Sequence, residues 1–126
     1  MSAKAATGIG DSAFFEDFDH VVLSVDTADS ASMTIKFQIS MAEDEPDFTA
    51  AQSSTNRWAY VEVVNYEDSA DVLDGDTGLV LTGTDVNRQY EVNVNGARWV
   101  NARITARAAG SATIKARGFK KDSGRT

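Results

Sequence analysis

The carboxylates at Asp71, Asp74 and Asp76 come nearest to a chemical site in this 126-residue chain. Aspartates spaced around a glycine offer oxygen ligands to a hard cation such as Ca2+. The spacing lacks the closing glutamate of an EF-hand loop, and acidic turns of this composition also arise because aspartate bonds its own backbone. A weak cation site is the functional reading and a solvated turn the plain one. Other chemistry is thinly supplied. Cysteine is absent, which removes thiolate nucleophiles, disulfides and Cys-ligated metals. His20, the single histidine, alternates with Phe18 and Val22 and reads as structural or exposed; one histidine does not build a His-rich zinc site. Gly8-Ile9-Gly10 and Gly75-Asp76-Thr77-Gly78 lack the lysine and helix that follow a phosphate loop. The expectation is a protein with no enzyme activity and no cofactor, whose function lies in what its surfaces bind.

Those surfaces carry opposite charges if the two halves of the chain are separated in space, whereas halves that interleave in a sheet would mix the charges and cancel the effect. Residues 1–87 hold 17 of the 19 acids with three basic residues, a balance of −14, whereas residues 88–126 hold nine basic residues and two acids, a balance of +7. Such polarity favours contacts between copies or with a charged partner. The interface candidates are the acids Glu43, Asp44, Glu45 and Asp47 and the basic row Arg103, Arg107, Lys115 and Arg117. Trp99 joins them, because it stands in the outward register of its run and pairs a large apolar area with a polar handle. The net charge of −7 argues against general nucleic-acid binding, which needs clustered phosphate neutralisers. No stretch is apolar enough for a membrane helix, and the start has no signal-peptide core, so the chain is expected in the cytosol unless it leaves within an assembly.

Period-two patterning must position these residues. Met33, Ile35, Phe37, Ile39 and Met41 alternate with polar side chains, which places one strand face in a core and one in water. Phe18–Asp26, Arg57–Tyr66, Leu79–Thr82, Gln89–Val94, Arg98–Arg107 and Ser111–Gly118 read as further strands. Asp26–Ser30, Glu67–Gly78, Gly83–Asp85, Asn95–Gly96 and Ala109–Gly110 read as turns, the Asn-Gly pair carrying the strongest hairpin signal. Residues 42–56 lack a period, and a loop of that length usually serves binding. No amphipathic helix appears. The pattern predicts an all-β, antiparallel two-sheet β-sandwich of seven or eight short strands over residues 18–119, with a closed barrel as the competing architecture. A flexible N-terminal arm (1–17) and a C-terminal tail (120–126) flank it. The predicted core is Met33, Ile35, Phe37, Ile39, Val100, Ala102, Ile104, Ala112 and Ile114, and the last three strands are expected to form a meander.

That last region is similar to a family of small β-sandwich domains of tailed-phage virions, found in head decoration and cement proteins and in tail or fibre proteins. The residues concerned are Tyr90-Glu91-Val92-Asn93-Val94, Asn95-Gly96, Arg98-Trp99-Val100-Asn101-Ala102-Arg103-Ile104-Thr105-Ala106 and, after a Ser-Gly-like turn, Ala112-Thr113-Ile114-Lys115-Ala116-Arg117-Gly118. The resemblance implies a non-enzymatic bacteriophage structural protein, a homotrimer bound to the major capsid protein. It would stabilise the head from the outer capsid surface, after a stay in the host cytoplasm. The competing functions are a carbohydrate or cell-surface binding module of a tail or fibre, and a self-assembling tail or neck component.

Overall fold

The structure, a computed structural model, describes residues 8–9, 13–14, 20–65, 68–93 and 97–119. Among them the alternating runs form nine strands. These are β1 (Gly8–Ile9), β2 (Ala13–Phe14), β3 (His20–Ser40), β4 (Ala59–Tyr60), β5 (Val63–Asn65), β6 (Asp68–Leu73), β7 (Leu79–Leu81), β8 (Asn87–Asn93) and β9 (Trp99–Phe119). Every pairing is antiparallel.

The spine is a ribbon of β3 and β9, each 21 residues long, paired from His20 opposite Phe119 to Ser40 opposite Trp99. Midway the ribbon bends. Between the pairs Ala28–Ser111 and Ser32–Ala109, three residues of β3 face Gly110 alone. Asp29 and Ser30 adopt φ of 65° and 55°, and Gly110 has φ of 85°. A Cβ on Gly110 would lie 2.6 Å from the Ala31 Cα and 2.7 Å from the Ala28 carbonyl oxygen, so both the backbone angle and the space require glycine. The loop after β7 fastens the bend. The Asp85 carboxylate accepts the Ala31 amide at 3.0 Å, the Ser30 amide at 3.2 Å and the Thr27 hydroxyl at 3.3 Å. The Gly83 amide donates to the Ser32 hydroxyl at 2.8 Å.

The bend sends the two legs of the ribbon into two layers, the way a sandwich corner is made by strands that change sheets at a bulge. In the first layer the His20–Asp26 leg of β3 pairs with β8, β8 with β5, and β5 with β6. In the second, β7 and β4 line one side of β3 while β1 and β2 line the far side of β9. Val21, Leu23, Val25 and Tyr90 from the first layer meet Met33, Ile35, Phe37 and Ile104 from the second in one buried core. The fold is thus the all-β antiparallel sandwich that the periodicity predicts. Eight of the nine residues predicted for the core are buried in it, and Ile39 packs against it.

Several local expectations are corrected. Asp26–Ser30 and Ala109–Gly110 do not reverse the chain; facing each other across the ribbon, they bend it together, so two pairs of predicted short strands are one long pair. The meander is absent, because β8 and β9 both pair with β3 and lie on its opposite sides. The Asn95–Gly96 turn lies outside the described residues, but the strands before and after it are not partners. The predicted acidic turn Glu67–Gly78 contains strand β6. The predicted strand Arg57–Tyr66 is split, β4 serving one layer and β5 the other. Within the segment set apart as an arm, β1 and β2 are paired with β9; the tail 120–126 lies outside the described residues.

Candidate functional site

Two surfaces follow from this arrangement, one on each layer. On the second layer the 42–58 loop folds over the outer face of the ribbon. Gln38 and Asn101 stand at positions that alternation marks as solvent-facing, yet they are 0% and 2% exposed. They are cross-strand partners, and the Asn101 Nδ2 donates to the Gln38 Oε1 at 2.7 Å. The Gln38 Nε2 in turn donates to the Phe48 carbonyl at 3.0 Å, which ties the loop to the sheet. Phe48 is buried, a contribution of about 1.5–3 kcal/mol for a side chain of its size. The Asn101 Oδ1 is buried without a hydrogen-bond partner.

Inside the loop, Asn56 is the organiser. Its Oδ1 accepts the Asp47 amide at 2.9 Å and its Nδ2 donates to the carbonyls of Asp47 at 2.9 Å and Ala51 at 3.1 Å. Asp47 starts a turn by accepting both the hydroxyl and the amide of Thr49; these bonds, the hydroxyl first, hold its carboxyl below the ordinary carboxylate range. Trp58 closes the loop by donating its Nε1 to the Ala50 carbonyl at 3.0 Å. Its ring stands edge-on to Tyr60 with centroids 5.0 Å apart, and the Lys36 ammonium lies 4.8 Å over the Tyr60 ring. At the loop margin lies an apolar groove of about 450 Å³, lined by Ile39, Met41, Ala42, Trp58 and Ala59 among others, with Arg57 its one basic side chain. Met41, expected as the last member of the alternating set, is 71% exposed there, because β3 ends at Ser40.

On the first layer, register assembles a row that the sequence hides. Arg117, Val22, Glu91, Val64 and Val72 are successive cross-strand partners on β9, β3, β8, β5 and β6 and so share the outer face. Lys115 stands one row along, opposite Ser24. Val22 and Val64 are half-buried and Val72 is 45% exposed.

The interface candidates fall on both surfaces. Glu43, Asp44, Glu45 and Asp47 are exposed along the loop. Arg103 is half-buried, with its guanidinium toward the Phe48 carbonyl at 3.5 Å. Arg107 is exposed beside the bend, its Nε bonded to the Gly110 carbonyl at 2.8 Å. Lys115 and Arg117 are exposed beyond it. Trp99 is half-buried and donates to the Ala42 carbonyl at 3.1 Å. The four basic residues therefore occupy two legs of one bent strand instead of two strands of a hairpin. The Asp74 carboxylate accepts the Asp76 amide at 2.9 Å, as in a simple aspartate turn, while the Asp71 side chain lies outside the described residues. Among the described residues no three acidic or histidine side chains are grouped to hold a metal. Missing from the sequence reading are the roles of Asn56 in the loop and of Met41 at the groove, the Gln38–Asn101 pair and the valine row. Only the first two had a local signal, a polar residue ending an aperiodic loop and an apolar one at the edge of it.

The fold is similar to that in the crystal structure of the SPBc2 prophage-derived protein YomS. The TM-score is 0.58 at 13% sequence identity, over 90% of this chain and 83% of that one, a likeness of fold. No family model matches the chain, and no curated protein does.

Proposed function

We propose that the chain is a bacteriophage virion structural protein that binds the outer capsid surface and stabilises the head as a decoration or cement protein. The observation that carries this reading is the fold shared with a prophage-derived protein over nine-tenths of the chain. The exposed charges support it: the acids Glu43, Asp44 and Glu45 on one layer and Lys115 and Arg117 on the other are open to a charged partner. A capsid lattice multiplies weak contacts, so neither surface has to provide a large apolar patch. In this reading the partner is the major capsid protein and the working form is a homotrimer.

A carbohydrate-binding module of a tail or fibre is a weaker alternative. Trp58 and Tyr60 cross at 77°, so they do not present coplanar faces to a sugar chain. Electron cryomicroscopy of the purified particle tests the proposal. Density for this chain on the outer shell at lattice positions is expected; confinement to a tail, neck or fibre would overturn it.

A further inference from the structure

We infer that the valine row of the first layer in one copy docks into the groove beside the 42–58 loop of a second copy. The inference rests on the self-association in the reading above and names its surfaces. Each surface supplies what the other lacks. The groove combines apolar lining with the exposed Met41, and the chain passes directly from Met41 and Ala42 into the acids Glu43, Asp44 and Glu45. The row combines the valines with Lys115 and Arg117 at its β9 end. Glu91, between Val22 and Val64, is already engaged within the fold. No ion pair among the described residues satisfies Glu43, Asp44, Glu45, Lys115 or Arg117. The two surfaces belong to opposite layers of the sandwich, so one copy does not close the contact on itself.

A contact between two different patches is heterologous, and it closes into a ring when the rotation between copies allows, three copies making the trimer. Opposed charges set the register and the apolar groups supply contact area. The occupant is therefore a second copy of this chain.

The test is sedimentation velocity of the full chain over a concentration series. Wild type is expected to associate. Reversing the acids (E43K, D44K, E45K) or the cations (K115E, R117E) should each weaken association about tenfold or more, since like charges then face each other. All five reversals in one chain should restore it. Val72→Asp, which leaves the core untouched, should weaken association alone, with an unchanged far-ultraviolet dichroism spectrum in every variant. Reversals that associate like wild type would overturn this docking and leave self-association standing. A wild-type monomer at the highest soluble concentration would overturn both, without bearing on capsid attachment, which the particle density reads separately.

Discussion

Asp85 shows how much one carboxylate can organise. Its bonds, the Ala31 amide foremost and against some opposing desolvation, hold its carboxyl below its ordinary value of 3.8. A lowered folded pKa means these bonds stabilise the fold above that pH and lose their effect as pH falls through the folded value. Asp85→Asn should therefore flatten the acid side of the stability curve, read as urea midpoints between about pH 6 and about pH 2. An acid response unchanged from wild type would show that the carboxylate does not carry the bend. The Gln38–Asn101 pair yields a ranking. Gln38→Leu strands the Asn101 donor and leaves the Phe48 carbonyl only the 3.5 Å contact from Arg103, and should cost about 2–4 kcal/mol. Asn101→Leu removes one bond together with an acceptor that already lacks a partner, so it should cost less. Equal losses in urea titration would count against this account. None of these roles is legible at its own position: Asp85 reads as a turn residue, and Gln38 and Asn101 read as wet.

For the elements, periodicity reveals which faces are buried but not where a strand stops. The run Met33–Phe37 and the run Val100–Ile104 are strands with the predicted inward residues. What local pattern leaves open is whether a glycine or an aspartate cluster turns the chain back or only bends it. Positive φ marks departure from extension, and the partner strand decides its size. Asp29, Ser30 and Gly110 face each other across a ribbon, so they make a corner. Gly110→Ala should cost about 2–4 kcal/mol from backbone strain and crowding combined, a loss that thermal melting resolves readily. The 42–58 loop should behave more independently. Asn56→Ala is expected to speed hydrogen exchange at Asp47, Ala50 and Ala51 while leaving the exchange of β3 and β9 amides near wild type. Loss of protection throughout the sheet would mean that the loop is integral to the fold and not a plate laid over it.

In the whole molecule the charge imbalance visible in the sequence is partly mixed, because β9, from the basic half, pairs along its length with β3 and runs through both layers; the exposed acids Glu43, Asp44 and Glu45 stand on the loop of one layer and Lys115 and Arg117 on the other. Raising salt shortens the Debye length from ~8 Å at physiological strength to ~3 Å at 1 M, so association between copies should weaken. Salt resistance would move the contact toward its apolar groups. The imbalance between the halves is legible in composition; where the layers place its charges is not, since that depends on pairing between residues far apart in the chain. That same ribbon sets a schedule for synthesis. β3 finds its main partner only after about 60 further residues have been made, which at ribosomal rates of roughly 5–20 residues per second leaves it waiting about 3–12 s. During that interval the β3 edge that β9 takes is unpaired and its alternating apolar face lacks the side chains of β9, and long-range pairing of this kind is slow to form. The nascent chain is thus most exposed to aggregation before β9 emerges, and a ribosome-stalled chain ending ahead of residue 99 should be protease-sensitive and bind chaperones.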